Sequence, residues 1–139
     1  MKLNSEFITT PPRASASVVL LRDAPQKGLE VFLLRRHTAS AVLGGAYVFP
    51  GGKLDAADCD PALHAYLDKD PQVLLQSLGE ADLAHNTATG LYVAAVREVL
   101  EECGVLFAQA LQGTDVHDAP QRQDWQKRLH AGQTLLDLL

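Results

Sequence analysis

The sequence contains little that would staple or anchor it. Of 139 residues only two are cysteine, Cys59 and Cys103, too few for a disulfide framework, and no signal-peptide pattern opens the chain. Free thiols in a reducing, cytoplasmic setting are the expectation. Long apolar runs are missing as well: the longest is a handful of residues, such as Val18 to Leu21, where a spanning helix needs roughly 20. No membrane partner is expected. Nor is there a run of basic residues. Twelve Lys and Arg against 17 Asp and Glu give a formal net charge of −5, and without a positive stripe extended nucleic-acid binding is disfavoured. A bound cation or a few local arginines can still admit a small anionic molecule at one site.

What is present suffices for one core. A chain of this length with 47% hydrophobic and 21% charged residues has the composition of a single globular domain. Pro11-Pro12 can enter neither a helix interior nor a central strand, so residues 1–14 read as an arm and 15–139 as the domain. Ser17 to Arg22 and Leu29 to Arg36, rich in apolar residues and separated by a turn-forming loop, predict an antiparallel pair. Ala46 to Phe49 predicts a short strand stopped by a Pro50-Gly51-Gly52 turn. Between Asp60 and His85, apolar residues at helical spacing are interrupted by Pro71 and Gly79, which predicts two short helices. A stronger helix begins after Asn86 or Thr87 and stops at Gly104. Beyond it the pattern predicts a strand over Val105–Leu111 and an amphipathic helix from Asp124 to the end.

On the strong helix, Tyr92, Val96, Val99 and Cys103 share one stripe at 100° per residue, while Glu98, Glu101 and Glu102 lie on the other side. Such a cluster is ordinarily a solvated face with basic partners one turn away, and Arg97 with Glu101 fits that description. Three carboxylates on one turn without several lysines opposite also repel one another. A divalent cation relieves that repulsion, and an all-oxygen donor set suits Mg²⁺ or Mn²⁺. The five histidines lack metal-ligand spacing, and Gly51-Gly52-Lys53 lacks the offsets of a P-loop.

The segment Arg97-Glu98-Val99-Leu100-Glu101-Glu102-Cys103-Gly104-Val105 resembles the second half of the Nudix box, GX5EX7REUXEEXGU, where U is a bulky aliphatic residue. Every fixed position matches from Arg97 to Val105. Counting from Gly52, the first half has Asp58 where the family has Glu. Between Asp58 and Arg97 lie 38 residues instead of seven, an excess read as a helical insertion over about residues 59–89. A box split at this point, after Phe49-Pro50-Gly51-Gly52, is similar to the branch that includes the animal coenzyme A diphosphatase. The run from Leu33 to Gly52 resembles the coenzyme A signature of that branch. It departs from it at Arg35, where the signature has Thr, at His37, where it has Ser, and at Ala41, where it has a second Arg.

The resemblance implies an α/β fold, a Nudix-type α/β/α sandwich around a mixed β-sheet. It also implies a metal-dependent hydrolase that cleaves the diphosphate linkage of a nucleoside diphosphate joined to another group, coenzyme A or an acyl derivative being one candidate. Carried onto this chain, it makes Glu98, Glu101 and Glu102 metal ligands together with the Gly52 carbonyl. Glu98, with Glu101, orients or deprotonates the water. Arg97, counted with the catalytic group, pairs with a box carboxylate and holds its rotamer. Arg35 and Arg36, at a strand end beside the site, are candidates for substrate phosphates. Cys103 belongs to the apolar stripe.

Two features strain the resemblance. Only 35 residues follow Gly104, so the later strands of the fold are expected to be incomplete. No glutamate follows Glu102, which leaves Asp115, Asp118 and Asp124 as stand-ins for a later acidic ligand. Leu135, Leu136, Leu138 and Leu139 predict an apolar edge that a further segment or a second copy, hence a homodimer, would cover. The alternative function is a non-catalytic Nudix-fold module that binds a nucleotide or takes part in an assembly.

Overall fold

The computed structural model describes Thr9 and residues 11–25, 28–80, 82–108 and 119–139. Six short strands come first: β1 (Ser15–Ser17), β2 (Leu21–Ala24), β3 (Gly28–Val31), β4 (Leu34–Arg35), β5 (Tyr47–Val48) and β6 (Gly51–Lys53). Two 3-10 turns (Ala56–Cys59 and Pro61–Tyr66) lead to three helices, α1 (Pro71–Leu78), α2 (His85–Cys103) and α3 (Ala119–His130).

The strands pair as β1–β6, β2–β3 and β4–β5, all antiparallel. The expected mixed sheet is thus represented, among the described residues, by three two-stranded antiparallel pairs. The expected hairpin is real but shorter than the two apolar segments: Leu21 pairs with Val31 and Ala24 with Gly28. Beyond this overlap each segment changes partner, Ser15–Ser17 crossing to β6 and Leu34–Arg35 to β5. Gly51-Gly52, expected as a turn, is itself a strand. It can lie against β1 because both sides are small: a Cβ on Gly51, whose φ is +146°, would collide with the Ala16 carbonyl, so only glycine permits this approach.

The helical segment follows its punctuation. Pro71 opens α1, the Asp70 carboxylate accepts from Gln72 N at 2.8 Å, and Gly79 closes the helix in the left-handed conformation, each the expected chemistry of a helix end. The second 3-10 turn repeats the device with Asp60 accepting from Ala62 N and Pro61 behind it. Helix α2 begins two or three residues earlier than expected. Its N-cap is Ala84, without a side-chain cap, and Gly104 ends it at φ 66°.

Helix α2 is buried on a wider face than the predicted stripe. Val99 is fully buried, but Tyr92, Val96 and Cys103 are only half-buried, and Val93, Ala94 and Leu100 take the deepest positions. The reason is that α2 is covered from several sides, by α1 and the first 3-10 turn and by β1, β6 and α3. Leu63, Val93, Leu100, Leu106, Trp125, Leu129, Leu135 and Leu138 form one core cluster.

The C-terminal part departs from expectation twice. Residues 105–108 form no strand, and the remainder of the predicted strand lies outside the described residues. The last helix does not run to the end: Gly132, at φ +89°, stops it, and its N–H donates to Leu129 O. The chain then folds back, so Leu135 and Leu138 are 7% and 8% exposed within the core. Two leucines of the predicted apolar edge are therefore buried by the chain itself, while Leu139 stays exposed. No described helix is long and apolar enough to cross a membrane.

Candidate active site

The two halves of the motif meet across the 3-10 turn that follows β6. Asp58, 3% exposed, accepts from Arg97 Nε through Oδ1 at 2.8 Å and from Arg97 Nη2 through Oδ2 at 2.9 Å, the bidentate fork that carboxylate and guanidinium favour. The Asp58 Oδ2 also accepts from Asp55 N at 2.9 Å, which closes the turn. Asp58, one carbon shorter than glutamate, reaches Arg97 because this turn carries it to α2. Gly90 permits the approach, for a Cβ there would press on Cys59 Sγ and on Leu54.

Arg97 is 7% exposed and uses all its N–H groups within the protein. Besides Asp58 it donates through Nη2 to Lys53 O at 3.0 Å, and through Nη1 to Glu98 Oε1 at 3.0 Å and Glu101 Oε2 at 3.3 Å. The hydrogen bond to Asp58 keeps the guanidinium more firmly protonated than usual, against the effect of burial. With no donor left for a substrate, Arg97 belongs to positioning and not to the reacting groups. Its place is physical: it ties β6, the 3-10 turn and two carboxylates of α2 to one point.

Glu98 and Glu102, one helical turn apart, both face the glycine edge of β6. The Glu98 carboxylate occupies the space that a Cβ on Gly52 would fill, and Glu102 Oε2 accepts from Gly51 N at 3.0 Å. Burial pushes the Glu98 carboxyl above its ordinary value; Arg97 opposes this, and Glu101 and Glu102 add to it. The ladder also bears on the backbone oxygen expected from Gly52. Val18 N donates to Pro50 O and Leu54 N to Ala14 O, so by alternation Ala16 and Gly52 form a bonded pair of the ladder, and the Gly52 carbonyl faces β1. Gly51, one residue earlier, presents its main-chain edge to α2. What Gly52 contributes is the missing side chain.

Glu101 is held differently. Its Oε2 accepts from Arg97, its Oε1 lies 3.4 Å from His130 Nδ1, and its main-chain oxygen accepts from Gln126 Nε2 at 2.7 Å. Among the described residues no group of three or more His, Cys, Asp or Glu side chains is arranged to hold a metal ion by itself. The donor set nevertheless fits a hard cation. Mg²⁺ commonly takes one or two carboxylates and completes its shell with water and substrate phosphates, which is what Glu98, Glu102 and a neighbouring main-chain oxygen provide.

A cleft of about 850 Å³ opens beside these carboxylates. Glu101, Glu102 and Gly51 lie on one side, Arg35, Arg36 and His37 on another, with Tyr47 and Phe49 from β5 and with Gln126 and His130 from α3. The structure therefore brings Arg35 and Arg36 to the same cleft as the box glutamates. Arg35 stacks toward the Tyr47 ring, 6.0 Å from its centroid, and Arg36 Nη2 donates to Ser40 Oγ at 3.3 Å. Of the acidic stand-ins, Asp124 pairs with Arg128 at 3.9 Å and is not among the cleft residues, while Asp115 and Asp118 lie outside the described residues. Sequence reasoning missed Gln126 and His130, which reach the site only by the docking of α3. It also missed Gly90, whose signal was a glycine inside a helix pattern, a costly choice without a packing reason.

No family model matches the chain. Among solved structures, the chain is similar to a NUDIX hydrolase from Alicyclobacillus acidocaldarius, with a TM-score of 0.61 and 26% identity. The match covers 90% of this chain and 55% of that one, so the chain spans about half the length of the structure it resembles. This likeness, over most of the chain, gives it a Nudix-type fold similar to that of a Nudix hydrolase.

Proposed function

We propose that the chain hydrolyses the diphosphate linkage of a nucleoside diphosphate joined to a second group, with Mg²⁺ or Mn²⁺ held by Glu98 and Glu102. The observation that carries this reading is the convergence of those two carboxylates on the Gly51-Gly52 edge, locked by Arg97 and Asp58, at the side of a cleft that also holds Arg35 and Arg36. The likeness to a NUDIX hydrolase supports it. The cation, when bound, neutralises the diphosphate, polarises its phosphoryl oxygens and lowers the pKa of the attacking water.

The protein's own groups supply the rest. Glu98, whose carboxyl burial pushes upward, orients the water and accepts its proton at the carboxylate. Glu102 and the Gly51 main-chain oxygen complete the protein ligands, with Glu101 joining from the next position. Arg97 holds Glu98 and Glu101 against their mutual repulsion. Arg36 receives the outer phosphate oxygens, a task for which a planar guanidinium is suited, while Arg35 lines the same cleft over the Tyr47 ring. Coenzyme A is the first substrate to test, because the box is split where the similar branch splits it.

The experiment is turnover of coenzyme A, ADP-ribose and NADH in Mg²⁺ and in Mn²⁺, with Glu102→Gln as the control. Hydrolysis that needs the cation and disappears in the variant is the expected result. Hydrolysis of ADP-ribose or NADH alone keeps the reaction and removes coenzyme A. Nucleotide or coenzyme A binding without turnover, with affinity unchanged in Glu98→Gln, overturns the reading in favour of a binding module.

A further inference from the structure

The cleft is larger than a diphosphate needs, and part of its wall is aromatic. A volume of about 850 Å³ lies within the range of sites that bury a whole small molecule, roughly 300–1,000 Å³. The Tyr47 side of the cleft is unusually open for an apolar surface: Tyr47 is 67% and Phe49 44% exposed, and both line it. The chain has only three tyrosines and four phenylalanines, so placing two of these rings in one cleft is notable for so few. Register explains how Tyr47 is presented. On β5 it stands directly opposite Arg35 of β4, whose guanidinium lies over the ring, an arrangement that orients the ring by cation–π attraction.

We propose that Tyr47, braced by Arg35 and flanked by Phe49, is a stacking platform for the planar base of the substrate, and so a specificity-determining residue that selects nucleoside diphosphates over diphosphates lacking a ring. This rests on the reading that the diphosphate end lies at Glu98, Glu102 and Gly51. The geometry gives each half of the ligand its own partner: charge and cation at the glycine edge, ring at the strand above it. An exposed tyrosine suits the role, since it offers a large rigid face at little conformational cost.

The test is calorimetric titration of ADP and of inorganic pyrophosphate, in Mg²⁺, into the wild type, Tyr47→Leu and Tyr47→Phe. The wild type is expected to bind ADP more tightly than pyrophosphate. In Tyr47→Leu, ADP should weaken by roughly 5- to 150-fold, the usual worth of a base–aromatic stack, with pyrophosphate unchanged. Tyr47→Phe, which keeps the ring, should stay near the wild type. Because Tyr47 is exposed, neither change touches the core, and the unaltered pyrophosphate affinity reports an intact site. Unchanged ADP binding in Tyr47→Leu, or equal weakening of both ligands, overturns the platform while leaving the diphosphate site standing. A wild type that binds neither ligand overturns both.

Discussion

Asp58 and Arg97, 39 positions apart in the chain, are joined by two hydrogen bonds of 2.8 and 2.9 Å between side chains that are almost fully buried. Removing one partner would leave the other charge buried and uncompensated, which is far more costly than the pair itself is worth. Asp58→Ala should therefore lower stability by about 3–5 kcal/mol, read by urea denaturation at neutral pH. Asp58→Glu, which introduces the residue the Nudix box has at this position, should recover part of that loss, because the longer side chain must fit a turn closed around aspartate. A loss below about 1 kcal/mol, the range of exposed pairs, would show that the contact is solvated in solution.

Gly52 separates site geometry from stability. A methyl group at this position would displace the Glu98 carboxylate, whose atoms are its three nearest neighbours. Gly52→Ala should thus abolish cation-dependent turnover, or Mn²⁺ binding followed by paramagnetic resonance, while the thermal midpoint moves little. Gly51→Ala should instead unfold the β1–β6 pair, since its Cβ meets the Ala16 main chain.

The raised pKa of Glu98 has a definite sign. Because burial favours the protonated form in the folded state, the group's stabilising contribution is present below its unfolded pKa, about 4.3, and is lost as pH rises through the folded value. Without divalent cations, Glu98→Gln should accordingly be more stable relative to the wild type at pH 7 than at pH 4. Thermal melts at the two pH values check this. An equal difference at both would mean that Arg97 fully compensates the buried charge.

Divalent cations should reverse that penalty. Mg²⁺ or Mn²⁺ that binds only the folded chain raises the melting temperature in proportion to the logarithm of its concentration. The rise should vanish in Glu102→Gln and persist in Arg35→Ala, which lies in the cleft and not among the carboxylates. A rise that survives Glu102→Gln would place the cation elsewhere.

The C-terminal fold-back predicts a core effect at a position the sequence pattern left at an open edge. Leu138 is 8% exposed within the main cluster, so Leu138→Ala should lose about 2–5 kcal/mol, measured by denaturation. Leu139→Ala, at a 47% exposed residue, should change little.

The local chemistry of the chain was readable in order of sequence. Pro71 and Gly79 bound α1, Gly104 stops α2, and the glutamates of the box project from one side of that helix, because caps and helical periodicity depend on residues within a turn or two of one another. The split box was visible as a count between Asp58 and Arg97. Everything that turns those residues into a site required distant segments to meet. Only packing decided that a 3-10 turn would bring Asp58 to Arg97 past Gly90, that two glycines would form a strand against Ala16 and leave room for Glu98, and that α3 would bring His130 to Glu101. These depend on surfaces supplied by other elements, on which spacing along the chain is silent. The same holds for Leu135 and Leu138: their composition announced an apolar patch, and the turn at Gly132 determined that the protein's own core would bury it.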